Sequence, residues 1–224
     1  MKAKYHDTWS GIDAGREGLW REPIWSRVME LVACHEMEDV YNRESPIYLA
    51  LEQEFPNEKW RSQTREGFFR PLFRDYPNSW TKTGVLMLAN HRFRLTELGK
   101  MFLQGKTTKQ QILLRMFASV VSMGERPFSI LASAFISAHR PLSTEEVYWC
   151  IVRNWRPGSA PLKDEVGQPS LPRRQKILDT PRRRLRNLLA LMRAAEAIQS
   201  HLRGGKTWWA AQDIGLLKQI ANDK

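Results

Sequence analysis

The sequence predicts a mainly α-helical protein with small β-hairpins, organised as two tandem helix-plus-hairpin units joined by a helix. Three observations lead there. Apolar residues recur at helical spacing along most of the chain from Pro23 onward. Two stretches, 85–95 and 201–209, break that spacing with short β-prone runs around a tight turn. The order of helices followed by a hairpin then occurs twice, as a repeat of architecture without aligned identities. A helix ending in a basic-tipped hairpin is the reading half of a winged-helix unit, which lays the helix in the major groove and the hairpin tip on the backbone or in the neighbouring groove. The expected layout is therefore an N-terminal arm (1–22), a first winged-helix (helix-turn-helix) domain (23–105), a connecting helix (106–125) and a second winged-helix domain (126–224).

The arm holds Trp9 and Trp20 without a clear period and is expected to pack through those rings. Pro23 suits the first turn of a helix whose apolar positions are Ile24, Val28, Leu31 and Val32. Ser45-Pro46 announces a second helix through Ile47, Leu49, Ala50 and Leu51, stopped by Pro56. A third, basic helix is expected over KWRSQTREGFFR, interrupted by Gly67 and closed before Pro71. Val85–Leu88 and Phe93–Leu95 form strands around an Ala89-Asn90-His91 turn, and Thr96 caps a short helix ending near Gly105. Thr107 and Thr108 open the connecting helix through Ile112, Leu113, Met116, Phe117 and Val120. In the second unit, Phe128–Ala138 is a helix with Ile130, Leu131, Ala134 and Phe135 inward, and Ser143-Thr144-Glu145-Glu146 is a capping box for the next. The Pro- and Gly-rich stretch 156–179 is expected to be an irregular loop. Thr180 as N-cap and Pro181 as first helical residue then start a helix with Leu185, Leu188, Leu189 and Met192 on its core side. Arg183, Asn187, Ala190 and Ala194 lie opposite, and the helical pattern runs to Ile198. HLRGGKTWW folds back as two strands about Gly204-Gly205, and a short helix through Ile214, Leu217 and Ile220 closes the chain.

The first unit, on RSQTREGFF and RFRLTELG, resembles the N-terminal winged-helix domain of Mrr-type restriction proteins and is similar to the recognition regions of type IIS restriction enzymes. The likeness spans roughly residues 23 to 105. It implies DNA recognition, and a nuclease domain or subunit as a partner.

The formal charge of +11, from 35 Lys and Arg against 24 Asp and Glu, favours a polyanion, with nucleic acid ahead of an anionic membrane surface. Arg173, Arg174, Lys176, Arg182, Arg183, Arg184 and Arg186 crowd a span whose one acid is Asp179. A solvated basic face is the ordinary meaning of such a run. Here it sits at a helix N-terminus, where the dipole repels cations unless an anion is near, which favours phosphate binding. Arg183 and Asn187 have the chemistry to pair with guanine and adenine edges. The other candidate DNA contacts are Lys59, Arg61, Gln63 and Arg65 of the basic element, His91 and Arg92 at the first hairpin turn, and Arg203 and Lys206 flanking the second. Of Trp208 and Trp209, one points inward and the other either covers the surface or offers a stacking face.

A metal-dependent nuclease of the restriction type needs an acidic pair and a lysine on adjacent strands. Lys163-Asp164-Glu165 lies in the Pro-rich loop, and His6, His91, His139 and His201 are scattered. There is no Walker-type phosphate loop. No cofactor, metal or catalytic residue is expected. Cys34 and Cys150 sit in apolar helical patterns, as small buried hydrophobes of a reducing, cytoplasmic compartment. No apolar segment approaches the ~20 residues of a membrane span. Two alternatives stay open: a protein-interaction scaffold of a DNA-associated complex, and a nuclease with an unrecognised metal site.

Overall fold

The computed structural model describes residues 22–39, 44–57, 61–63, 69–71, 81, 83–90, 92–120, 126–147 and 185–222, in which helices predominate over small antiparallel sheets. The chain divides into two compact units between Met116 and Phe117.

In the first unit, α1 (Ile24–Cys34) buries Ile24, Trp25, Val28, Met29, Leu31 and Val32, a stripe at the i, i+3, i+4 spacing of one helix face. α2 (Pro46–Glu54) begins behind Ser45 with Pro46 in its first turn, where a missing N–H costs nothing, and buries Ile47, Tyr48 and Leu51. Leu49, named among the apolar residues of this helix, is 49% exposed, and Tyr48 is buried. Arg27 joins the two helices by donating to both carboxylate oxygens of Glu54, at 2.7 to 3.1 Å, and to Glu30 at 3.0 Å. Those hydrogen bonds from Arg27 hold the Glu54 carboxyl below its ordinary range.

The helix expected over residues 59–70 is a correction: β1 (Arg61–Gln63) and β2 (Phe69–Pro71) pair antiparallel, with Arg61 opposite Pro71 and Gln63 opposite Phe69. The segment has no apolar stripe to bury as a helix, and its consecutive aromatics beyond Gly67 favour extended backbone. β3 (Leu86–Ala89) and β4 (Arg92–Leu95) form the expected hairpin. A third segment lies on the far side of β4. Met37 N–H donates to Phe93 O at 2.7 Å, Phe93 N–H donates to Glu38 O at 3.3 Å, and Asp39 bridges Arg92. Thr96 caps α3 (Glu97–Leu103), accepting from Gly99 N–H at 3.2 Å, and α3 returns to α1, where Phe102 meets Trp25 edge-on at 6.0 Å. α4 (Lys109–Ser119) opens with a reciprocal pair in which Gln111 N–H donates to Thr108 Oγ1 and Thr108 N–H donates to Gln111 Oε1.

In the second unit, α5 (Pro127–Ala138) buries Phe128, Ile130, Leu131, Ala132, Ala134 and Phe135, and Phe117 stacks on Phe128 at 4.1 Å. His139, left-handed at φ 50°, ends it. β5 (Leu142–Ser143) leads into α6 (Thr144–Glu146), whose continuation past Val147 lies outside the described residues, and the expected capping box forms. Glu146 N–H donates to Ser143 Oγ at 3.1 Å, and Ser143 N–H donates to Glu146 Oε2 at 2.7 Å. Helical residues 185–194 (α7) precede β6 (Ile198–Arg203), β7 (Lys206–Ala211) and α8 (Ile214–Asn222). β7 is the central strand, in the order β5-β7-β6. α8 starts on Asp213, whose carboxylate accepts from Leu216 N–H at 2.9 Å, and packs along α5, where Ser129 Oγ donates to Ala221 O at 2.7 Å.

The sequence pattern carried the α7 helix too far. It stops at Ala194 in a Schellman motif, with Glu196 N–H on Arg193 O, Ala197 N–H on Met192 O, and Glu196 itself at φ 64°, so Ile198 begins a strand. Cys34 is likewise a free thiol on the exposed side of α1, off the buried stripe. The arm up to Arg21, residues 148–184 and Cys150 lie outside the described residues.

Candidate nucleic-acid interface

The hairpin that follows α7 is fixed at its base, and residues 203–206 at its tip are exposed. At the base, Trp209 is buried, 3% exposed, and its Nε1–H donates to Thr144 Oγ1 at 2.9 Å, fastening β7 to the start of α6. Register sets Leu142 opposite Trp209 and Ile198 opposite Ala211, both on the core face. At the tip, Gly204 and Gly205 have φ of 57° and 69°, the paired positive values that a two-residue type I′ turn needs. Because side chains alternate across a strand, Gln199, His201, Arg203, Lys206 and Trp208 share the outer face, with His201 opposite Trp208 and Arg203 opposite Lys206. Gln199, His201, Arg203 and Lys206 are exposed, and Trp208 is half-buried with its indole nitrogen covered. Trp208 is thus a covering residue of the sheet more than an open stacking face.

α7 is joined to this hairpin by Arg193, whose Nη1 donates to Ser200 Oγ at 2.6 Å across the helix-strand turn. Burial lowers the Arg193 pKa from its ordinary value, yet an arginine so placed stays a cation at neutral pH. The helix is embedded through its middle: Leu188, Leu189, Ala190, Leu191 and Met192 are all buried. Ala190 was expected on the outward face and is 5% exposed, a correction to that face, while Ala194 is half-buried. What reaches outward is the first part of the described stretch, with Arg186 exposed and Asn187 half-buried, and neither pairs with another side chain among the described residues.

Arg186 and Asn187 lie on α7, and Arg203 and Lys206 on the hairpin that follows it. In the first unit, Arg92 is exposed at the start of β4, with Arg94 two residues on along the same face. Arg61 and Gln63 lie on β1, in a hairpin in place of the expected helix. Lys59, Arg65, His91, Arg173, Arg174, Arg182 and Arg183 fall outside the described residues. Sequence reading missed Arg193 as the helix-to-hairpin tie and Gln199 and His201 as outward neighbours of Arg203. The strand alternation carried the second signal; the first needed the position of the helix end.

Among the described residues, no three His, Cys, Asp or Glu side chains gather as a metal site, and no helix is long and apolar enough to cross a membrane. The chain matches no protein-family model, and a search of curated proteins finds no relative.

Proposed function

We propose that the chain binds double-stranded DNA through two winged-helix units. The observation that carries the reading is the second unit: α5, the short strand β5, the capped start of α6, helical residues 185–194, then a Gly-Gly hairpin whose return strand is central, with exposed cations at the hairpin tip and at Arg186. The first unit supports it by repeating the pairings. In both, a short segment after the first helix pairs with the return strand of a hairpin, and the helix that follows the hairpin packs on that first helix. The +11 charge supplies the long-range attraction to phosphates. The reader of base edges in the second unit is α7, with Arg186 and Asn187, while Arg203 and Lys206 contact the backbone.

The narrower reading is target recognition, by sequence or base modification, for a restriction or defence system whose catalytic part lies elsewhere. It rests on the resemblance carried by RSQTREGFF and RFRLTELG, and a hairpin at 61–71 stands where that resemblance implies a helix. Selection from a random duplex library with the purified protein tests both levels. A sharp motif supports a specificity module, flat enrichment leaves general duplex binding, and no recovery removes the DNA reading.

A protein-interaction scaffold is the second reading. Met37 and Met87, 47% and 44% exposed on the segments that flank β4, favour it for the first unit. Tight co-purification of a protein together with loss of DNA affinity at physiological salt is the result that would replace the first reading.

A further inference from the structure

β6 is the outer strand of its sheet among the described residues, since β7 stands between it and β5. It keeps one continuous register with β7, from Ile198 opposite Ala211 to Arg203 opposite Lys206, with no bulge. The two-residue turn at Gly204-Gly205 fixes which backbone groups that pairing uses. Arg203 and Lys206 close the turn and exchange both their hydrogen bonds, and in an antiparallel pair such positions alternate with positions that exchange none. Gln199, His201 and Arg203 therefore bond to β7, in step with Ala197, whose carbonyl accepts from Gln212 N–H at 3.0 Å. Ile198, Ser200 and Leu202 turn their N–H and C=O groups to the other edge, where no strand pairs with them among the described residues.

Proteins blunt such an edge with proline, lysine, a bulge or an inward-pointing charge. β6 reads IQSHLR and carries none of these; its one formal charge, on Arg203, stands at the tip end and belongs to the outer row. The residues whose backbone faces the free edge are also those of the inward row of side chains, because both properties alternate with the same period. Leu202 ends that row and is 79% exposed. A strand added to the edge would meet the free backbone groups and Leu202 together.

We propose that β6 pairs antiparallel with β6 of a second copy of this chain, joining the two sheets into one across a twofold axis. A strand that meets itself antiparallel satisfies both copies through the same contact. Centred on Ser200, the pair overlaps along the whole strand and sets Leu202 opposite Ile198 of the partner subunit, apolar to apolar, and Gln199 opposite the partner's His201, amide to imidazole. The same centring keeps the two Arg203 side chains at opposite ends, about 20 Å apart along the strands, beyond the ~10 Å over which exposed charges interact at 0.1 M salt. That match of apolar, polar and charged positions selects a second copy over a strand of unrelated sequence. The pairing goes beyond the duplex-binding reading and needs no DNA.

The test uses the full chain without DNA, at about 0.3 M salt to screen the net charge, followed by sedimentation and by amide exchange in nuclear magnetic resonance. An edge contact is small, so wild type is expected to be monomeric at about 1 μM and dimeric at about 500 μM. In the dimer the amides of Ser200 and Leu202 are expected to exchange at least about threefold more slowly than in the monomer, while those of Gln199, His201 and Arg203, already bonded to β7, change little. Leu202→Lys puts an edge-blunting residue at an exposed position and is expected to stay monomeric with an unchanged Tm. Should that variant unfold, the exchange pattern of wild type decides. A wild type that stays monomeric at about 500 μM overturns the pairing, as does a dimer whose Ser200 and Leu202 amides exchange as in the monomer, or a dimer that folded Leu202→Lys leaves intact. Protection of those amides only by a co-purified protein would give the edge to that protein and overturn self-pairing. None of these results bears on duplex binding, and a chain that dimerises in this way yet binds no duplex would remove the DNA reading alone.

Discussion

Glu196 holds a left-handed backbone, φ 64°, at the C′ position of α7, where glycine is the usual residue. A Cβ in that conformation costs roughly 1–2 kcal/mol, and a glycine there gives back roughly 0.4–1 kcal/mol through the freer unfolded chain. Glu196→Gly is therefore expected to stabilise the protein by about 0.5 kcal/mol, raising Tm by about 1–2 °C; a fall in Tm would show that Glu196 makes a contact the Schellman motif does not require. Gly99 presents the opposite case. It is buried on α3, and a methyl there would run into Val85 O and the Leu95 side chain. Val85 O is already engaged, accepting from Thr96 N–H at 3.1 Å and lying 3.2 Å from Thr96 Oγ1, so it has little freedom to move. Gly99→Ala is expected to cost about 1–3 kcal/mol as an overpacked site, measured by denaturant unfolding. An unchanged midpoint would mean that α3 shifts away from β3 without loss.

At the scale of single elements, the Ser143–Glu146 capping box starts α6 and sits directly beside the strand that anchors the hairpin. Ser143→Ala is expected to cost about 1 kcal/mol. For Glu146, desolvation raises the pKa, but the hydrogen bonds with Ser143 and Arg140 outweigh it, and the net direction is down. A carboxyl with a lowered folded-state pKa contributes stability above its unfolded value of about 4.3, and that contribution disappears as pH falls through the folded value. Glu146→Gln should thus be destabilising at about pH 7 and match wild type below about pH 2; a pH-independent difference would place the effect in packing. This box was legible because Ser-x-x-Glu has a single physical meaning at a helix start, and the two hairpins were legible because Gly204-Gly205 and Asn90 suit turns with positive φ. The 61–71 pairing was not, since the run of basic and polar residues before Gly67 masks the extended preference of Phe68-Phe69 beyond it. Nor was the end of α7: Glu196 does not advertise a left-handed cap, and Ile198 keeps helical spacing while in fact opening β6. Ala190 was misplaced for a related reason, because a small residue on a helix fits a buried face as well as an open one.

For the whole molecule, the decisive quantity is how many phosphates the cations at the hairpin tip and on α7 engage. Each engaged cation contributes about 0.9 to the slope of log affinity against log salt, whereas a diffuse positive charge responds little to any single substitution. Arg186 and Arg203 are both exposed, so their removal leaves the core intact. The most direct measurement is the salt dependence of duplex affinity for wild type and for the Arg186→Ala/Arg203→Ala double variant. The expected result is a weaker complex whose slope is shallower by about 1.8. A double variant that binds with wild-type affinity and wild-type slope would contradict the placement of DNA on α7 and its hairpin.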